Sequence, residues 1–467
     1  MQVDFKFEGK SIRGYVGEPV AVALHAAGVR VLSRSFKFHR PRGIGLTCLT
    51  PLCPNCQVTI NGMHGVAACE APLSGGETVR RERAWPNADH DLLGVIDRLA
   101  VLLPAGFQFR HFSKRPRLAH LFEQVISLIA GGGRRPSQEA ASGWLRPGFG
   151  HHRIDLLVIG GGPAGLAGAL AAAEAGLQVA LVEREDALGG SLRAETRIMT
   201  DSAGVSDAAC KLVSKLSRQV HQHPRIKVWT GSTALGWYEG NVLPVMCANG
   251  IISFEPENLL ISTGSYECPL PFPGSDLPGV MLAAAAQRLI NLYYVRPGHV
   301  AAVVTNEEYG YIVADQLRDV GVHVTAIIDS RPEYEILADE VAKLAVQRGT
   351  RILSDCLPLS IRGRSGVRAL RVSRGVGRRH SIPCDTVIVA AGRHPADELL
   401  LQRAYHGSTL LEIPENVAAL GHDASIPIMP GVYLAGGITG SFQLADAMAD
   451  GAAAANAILA NKHGGGQ

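Results

Sequence analysis

At 467 residues, with 45 basic and 42 acidic side chains and a net charge of +3, the chain is long enough for about two to four domains and has no charge excess pointing to nucleic acid or a membrane surface. Apolar residues make up 46% and there are 53 glycines, which suits an α/β fold with many tight turns between strand and helix. Nine cysteines in so long a chain are no disulfide framework, and four of them cluster, which points to metal in a reducing compartment.

The first residues, MQVDFKFEG, alternate apolar and polar and contain no apolar run of secretory type, so a cytoplasmic location is expected. Residues 3–7 and 11–15 read as a hairpin around Glu8-Gly9-Lys10, and 19–27 as a short helix. RSFKFHRPRG, residues 34–43, then places Arg34, Lys37, Arg40 and Arg42 close together. Such a stretch is either a solvated loop or a clamp for a cofactor phosphate or for the acidic face of a partner protein.

Cys48, Cys53 and Cys56 follow as C-x4-C-x2-C, and Cys69 comes after a further strand, 57–60, and the Asn61-Gly62 turn. This is the plant-type spacing of a [2Fe–2S] cluster: a tight loop delivers three thiolates and a fourth arrives from the next turn. A zinc site more often has two separated C-x2-C pairs, and neither it nor a set of buried unligated thiols accounts as well for the three-cysteine loop. The short hairpin, helix, loop and strand around the cysteines suit a small β-grasp, ferredoxin-like domain over 1–104. Cys210, Cys247, Cys268, Cys356 and Cys384 are scattered and read as core or surface thiols.

Residues 92–103 and 118–130 have helical spacing, separated by the basic and aromatic stretch PAGFQFRHFSKRPR. A segment rich in glycine, proline and arginine, 131–153, reads as a linker, so 105–152 is expected to be a helical connector.

Residues 154–190 carry the strongest signal. A short apolar strand, 154–159, runs into Gly160-Gly161-Gly162-Pro163-Ala164-Gly165, a G-x-G-x-x-G that opens an alanine-rich helix. A second strand, 178–182, ends at Glu183. Gly160 allows the tight turn, Gly162 lets a pyrophosphate approach the backbone, and Gly165 lets helix and strand pack closely. The free N–H groups and positive dipole end of the helix face the phosphates, and Glu183 stands where an acid accepts hydrogen bonds from a ribose 2′-OH. That acid favours FAD or NAD over NADP. Residues 156–173 have no charge, but their glycines and proline argue against a membrane span. After Glu183 and Arg184, the loop at Gly189, Gly190 and Ser191 is expected near the ring end of the cofactor. A helix is expected at 208–221, and the strand 259–261 ends in Ser262-Thr263-Gly264, whose small residues let backbone approach the dinucleotide from the far side.

Residues 299–304, 309–320 and 322–328 repeat the strand–helix–strand plan, but Thr305-Asn306-Glu307-Glu308-Tyr309-Gly310 replaces the phosphate loop. Carboxylates there satisfy the helix dipole and repel a pyrophosphate, so this second dinucleotide-type fold is expected to hold no nucleotide. A further strand, 385–391, ends at Gly392. Residues 432–435 lead through Gly436-Gly437 into a long alanine-rich helix, 443–460, a return to the first domain. The domain boundaries expected are 153–296 with 385–467 for the first dinucleotide-binding domain and 297–384 for the inserted, degenerate one.

With RSFKFHRPRG, LPAGFQF, VTNEEYGYIVADQL, IDSRP and LAGGITGSFQLADAMADGAAAAN in view, the chain resembles the N-terminal half of the alpha subunit of heterotetrameric sarcosine oxidase over almost its whole length. That resemblance implies an α/β fold of the two-dinucleotide-binding-domain flavoprotein type. The sequence has no counterpart of the family's C-terminal, folate-type aminomethyltransferase half, so folate coupling is not expected. The family's N-terminal domain generally lacks a cluster; with Cys48, Cys53, Cys56 and Cys69 the chain instead looks like a fusion of the iron–sulfur and flavoprotein subunits of the hydrogen cyanide synthase, opine oxidase and hydroxyproline dehydrogenase group. The implied function is an electron-transfer subunit of an amino-acid, opine or secondary-amine dehydrogenase or oxidase. A separate flavin-dependent beta subunit would oxidise the C–N bond, with room for further small subunits. No acid/base constellation for amine oxidation stands out in the sequence, so no catalytic residue is assigned. FAD is the expected nucleotide, since a flavin passes electrons singly to a cluster, and NAD is the alternative because Gly437 replaces the aspartate of FAD-binding relatives. An NAD(P)H-dependent flavin and iron–sulfur reductase, or a structural subunit with a static NAD, are the competing readings.

Overall fold

The computed structural model describes residues 1–36, 38–44, 55–98, 117–118, 120–121, 123–124, 148–375, 378–406 and 421–464. Cys48, Cys53 and most of the expected connector 105–152 lie outside these described residues. By its contacts the chain divides into two compact units, 1–144 with 267–392, and 145–266 with 393–467.

The first unit begins with a five-stranded sheet in the order Lys10–Tyr15, Gln2–Phe7, Thr78–Arg81, Gln57–Ile60, Met63–Ala67. Alternation puts Phe5 and Phe7 on its buried face, where the helix Val20–Ala26 supplies Val20, Val22 and Leu24. The Asn61-Gly62 turn has both residues at positive φ, the turn that matches the twist of a hairpin. A mixed sheet with one helix across it is the ferredoxin-like arrangement expected.

The same unit holds a five-stranded parallel sheet in the order Val280–Leu282, Thr386–Ala390, Val300–Thr305, His323–Asp329, Ile352–Leu353. A three-stranded antiparallel sheet, Cys356–Gly363, Val367–Arg374 and Arg378–Pro383, follows it. Sequence spacing assigns residues 267–296 and 385–392 to the first dinucleotide domain, yet 280–282 and 386–390 pair with each other, and 386–390 pairs with 300–305. An isolated apolar strand carries no sign of which sheet will take it.

Buried residues of the ferredoxin-like part and of the parallel-sheet part form one continuous cluster, from Phe5 and Leu24 through Leu289 and Val313 to Ile388. Polar contacts fix the same junction. His25, 4% exposed, has its Nε2 3.1 Å from the Pro297 carbonyl oxygen. Arg42 donates to Asp276 Oδ2 at 2.7 Å and to the Asp276 carbonyl at 2.9 Å, while Arg40 donates to Asp97 at 2.8 Å. Arg34 donates to the carbonyls of Ala88 and His39. Burial pushes the Asp276 carboxyl up, but Arg42 and Arg40 outweigh it and hold the group below its ordinary range. Arg34 and Arg42 are thus used inside the chain, while the Arg40 side chain, beside Asp97, stays 41% exposed.

The second unit is built on a sheet in the order Ile226–Trp229, Val179–Val182, Gly148–Ile159, Gly250–Ile261, Leu243–Cys247, Thr233–Ala234, with Val432–Leu434 also beside Gly250–Ile261. The first strand begins at Gly148, inside the stretch read as linker. It pairs residue by residue with Gly250–Ile261 from Gly148↔Gly250 to Ile159↔Ile261. Tertiary pairing overrides the local glycine and histidine composition there. The helices Pro163–Glu174 and Leu444–Gly464 pack against each other through small residues. A Cβ on Gly451 would lie 2.0 Å from the Ala164 carbonyl oxygen, so the alanine-rich sequence serves close approach of two helices. Among the described residues no helix is long and apolar enough to cross a membrane.

His25 supplies a pH test of the first unit. Burial, and secondarily the Arg30 charge, lower its pKa from 6.5 to about 4. The unfolded chain therefore binds the extra proton first, so stability is full above pH ~6.5 and is lost as pH falls towards 4, by up to about 3 kcal/mol. His25→Gln, which can keep the contact to Pro297, is expected to flatten the dependence of the urea midpoint on pH in this window. Equal slopes for both proteins would contradict the assignment.

Candidate functional site

The site grows from the end of the strand Gly148–Ile159. Gly160 sits at φ +106°, where a side chain is strained, and a Cβ there would lie 2.3 Å from the Ser262 carbonyl oxygen. A Cβ on Gly165 would lie 2.0 Å from the Gly160 carbonyl oxygen. Strand, helix and the loop at Ser262 thus meet backbone to backbone. Ser262 closes the junction by donating its hydroxyl to the carbonyls of Ile159 at 3.1 Å and Gly160 at 2.9 Å.

Gly162 differs from its neighbours: a Cβ there would meet nothing within 4 Å. It is the N-cap of Pro163–Glu174, has extended backbone and offers no side-chain cap; Pro163 occupies the first turn without an N–H. The amides of Ala164 and Gly165 at this positive end have no capping side chain. The structure therefore leaves a cradle beside uncapped donors where the spacing predicts a pyrophosphate.

Three further loops border the cradle. Gly189 donates its N–H to the Gly161 carbonyl at 2.7 Å, and a Cβ on Gly190 would lie 3.2 Å from the Gly162 Cα. Ser191 follows in the short 3-10 helix Gly190–Ala194. A Cβ on Gly437 would lie 3.3 Å from the Gly264 Cα, and one on Gly436 would lie 2.7 Å from the Ala164 Cβ. The Thr263 hydroxyl donates to the Ala396 carbonyl at 2.6 Å.

Glu183 ends its strand as the spacing predicts. Its Oε2 accepts the Gly161 N–H at 2.7 Å and its Oε1 the Glu185 N–H at 2.8 Å. Burial pushes the carboxyl above its ordinary range, while those two N–H bonds pull it down. Each oxygen keeps a lone pair for a ribose hydroxyl. Arg184 Nε is buried without a hydrogen-bond partner. The Tyr266 hydroxyl donates to Glu398 Oε2 at 3.2 Å; burial first, then the Glu398 charge, raises its pKa.

Sequence reasoning misses two residues. Asp450 accepts the Gly436 N–H at 3.2 Å and lies 3.4 Å from the Thr439 hydroxyl, so a helix side chain holds the loop that carries Gly436 and Gly437. Gly451 beside it allows the helix contact. The ADG triplet inside an alanine run is the available signal.

In the second strand–helix–strand repeat, side chains stand where the first has none. The Thr305 hydroxyl donates to the Glu307 carbonyl at 2.8 Å, and Glu307 Oε1 accepts the Gly392 N–H at 3.2 Å. The buried Tyr311 hydroxyl donates to Asp329 Oδ2 at 2.8 Å, and Arg331 donates to the same carboxylate. Of the four expected cluster ligands, Cys56 and Cys69 are described; both are buried, and the Ala68 N–H beside Cys69 donates to the Cys56 carbonyl at 3.1 Å.

Against known proteins, a family model described as pyridine nucleotide-disulphide oxidoreductase matches residues 154–452, and one described as 2Fe-2S iron-sulfur cluster binding domain matches residues 1–84. The chain belongs to the pyridine nucleotide-disulphide oxidoreductase family. It is 34% identical over 480 residues to the alpha subunit of sarcosine oxidase from Rhizobium meliloti, covering 98% of this chain and 46% of that protein. It is 30% identical over 276 residues to an opine oxidase subunit from Agrobacterium tumefaciens, covering 52% of this chain and 53% of that one. The chain spans about half the length of these curated relatives. Among solved structures, L-proline dehydrogenase from P. horikoshii shares the fold, with a TM-score of 0.67 and 20% identity over 99% of this chain and 74% of that one. The resemblance to the sarcosine oxidase alpha chain therefore holds, and the protein combines a cluster-binding domain with a domain that binds a pyridine nucleotide or FAD.

The glycines make separable predictions. A Cβ at Gly162 meets no protein atom within 4 Å, so Gly162→Val is expected to keep the melting temperature within a few degrees while bound dinucleotide, measured by chromatography after acid release, falls to a few percent. Gly165→Ala drives a Cβ against backbone and is expected to destabilise by about 3 kcal/mol or more, read from urea unfolding. Retention of dinucleotide by Gly162→Val would remove the cradle from the cofactor site.

Proposed function

We propose that the chain is the electron-transfer, alpha-type subunit of a heteromeric amino-acid, opine or secondary-amine dehydrogenase or oxidase. Its partner would be a flavin-dependent beta subunit that oxidises the C–N bond. The observation carrying this reading is the open cradle at Gly162, with Glu183 beside it, in the same chain as a cluster-binding domain. The sarcosine and opine oxidase relatives are themselves named as subunits.

In this reading FAD occupies the first site. Backbone N–H groups of Ala164 and Gly165 and the helix dipole hold its pyrophosphate, Glu183 accepts from the adenosine ribose, and the loops at Gly190, Gly264 and Gly437 flank it. Cys48, Cys53, Cys56 and Cys69 ligate [2Fe–2S]. A bound flavin would supply conversion of a two-electron donor to single-electron transfer. The chain's own groups bind, orient and shield the cofactor. The second fold carries no nucleotide in this reading, because Glu307 and the Tyr311–Asp329–Arg331 set stand where phosphate and ribose would need room.

Co-purification with the cognate beta subunit, released-nucleotide analysis and iron and sulfide determination test the proposal together. FAD and two iron atoms per chain are expected. The isolated chain should not oxidise sarcosine, proline or an opine, and the complex should bleach both visible chromophores with the right amine. Cys53→Ala or Cys56→Ala is expected to abolish the cluster's electron spin resonance signal and leave FAD content near normal. Full-rate amine oxidation by the isolated chain would refute the division of labour.

A further inference from the structure

The stretch 356–384 contains seven arginines, at 362, 364, 368, 371, 374, 378 and 379, and no acidic residue. That is unlike the rest of a chain whose 45 basic and 42 acidic residues nearly balance. Other arginines find carboxylates: Arg42 with Asp276, Arg193 with Glu185, Arg331 with Asp329, Arg348 with Asp315. Among the described residues, Arg362, Arg371 and Arg379 take part in no ion pair within 4 Å.

Register places these three together. In the three-stranded antiparallel sheet, Ser360 and Ser381 stand directly opposite Arg371 on its two neighbouring strands. Arg362 pairs with Ala369 and Arg379 with Ser373, so both lie on diagonals from Arg371, on the same face. The opposite face carries Leu370, Val372 and Ile382 into the core. The outer face is thus a row of guanidinium and hydroxyl groups, exposed, on rigid strands. Beside it lies a concavity of about 430 Å³ lined by Arg362, Arg371, Arg379 and Ser381 of this face and by His380, which stands opposite Val372 and so alternates to the other side of its strand.

Like charges on neighbouring strand positions cost stability unless something neutralises them. Guanidinium groups match phosphate and carboxylate oxygens in pairs of parallel hydrogen bonds, and serine hydroxyls add donors. The volume lies in the range of small-molecule sites. The geometry points to a binding site for a small oxyanion with two or more phosphate or carboxylate groups, held by Arg362, Arg371 and Arg379. The site is separate from the dinucleotide cradle and does not rest on the proposed function.

Calorimetric titration of the full chain with inorganic pyrophosphate, and separately with citrate, tests this at low ionic strength. One saturable site is expected for at least one of them, and the arm that binds tells phosphate from carboxylate. Arg371→Gln and Arg379→Gln, both exposed and unpaired, should each weaken it by about tenfold or more, while Lys215→Gln, the same charge change on a helix of the other unit, should not. Binding should survive in Gly162→Val. No saturable binding, equal affinity in Arg371→Gln, or loss only in Gly162→Val would overturn the site. Binding of a poly-glutamate peptide without either small anion would also overturn it and make the face a dock for an acidic protein.

Discussion

The second unit depends on how closely three pieces of backbone come together. Gly160, Gly165 and the loop at Ser262 approach to distances that no Cβ tolerates. The Ser262 hydroxyl bonds the two carbonyls at the junction and so compensates polar groups that close packing would otherwise leave unpaired. Only with strand, helix and third strand locked in this way does the N-terminus of Pro163–Glu174 present its amides beside open space at Gly162. The site is therefore a consequence of side chains removed from one crossing. The same economy recurs where Gly451 admits the long C-terminal helix against Ala164 and Gly168.

In the first unit the corresponding constraint is charged. Arg34, Arg40 and Arg42 leave one short basic stretch and reach Ala88, Asp97 and Asp276, tying the ferredoxin-like sheet to segments far along the chain. His25 does the same through Pro297. Such partly buried, hydrogen-bonded pairs fix position more than they add net stability, because desolvation offsets much of the attraction. The continuous apolar cluster beneath them supplies the burial.

Local signals are legible in the sequence and long-range ones are not. The glycine spacing at 160–165, the acid at Glu183 and the Asn61-Gly62 hairpin each specify their own geometry within a few residues, and the structure has that geometry. The strand Thr386–Ala390, apolar after its threonine, would suit either parallel sheet; the register with Val300–Thr305 decides. Residues 148–153 are composed like a linker and become strand only because Gly250–Ile261 is long enough to pair with them. Asp450 escapes sequence reasoning because a carboxylate within an alanine-rich helix reads as solvent-facing, yet it turns back to the Gly436 N–H. The basic stretch misleads for the related reason that its acidic partners lie as far away as Asp276. Cys48 and Cys53 lie outside the described residues.

The two strand–helix–strand repeats separate topology from site. In each, an acidic residue stands at the end of the second strand: Glu183 directly after Val179–Val182 in one, Asp329 as the last residue of His323–Asp329 in the other. Glu183 takes two backbone N–H bonds and faces a loop made of glycine. Asp329 is fully buried and takes the Tyr311 hydroxyl, the Arg331 guanidinium and the Arg331 N–H. A carboxylate so engaged has little acceptor capacity left for a ribose, and the tyrosine that engages it comes from the helix whose first turn would have to meet the phosphates. The desolvated Tyr311 hydroxyl, raised in pKa by burial and then by Asp329, stays protonated and keeps donating. A strand-end acid thus keeps acceptor capacity where the facing loop contributes backbone alone; where a tyrosine and an arginine reach it first, the same position becomes core.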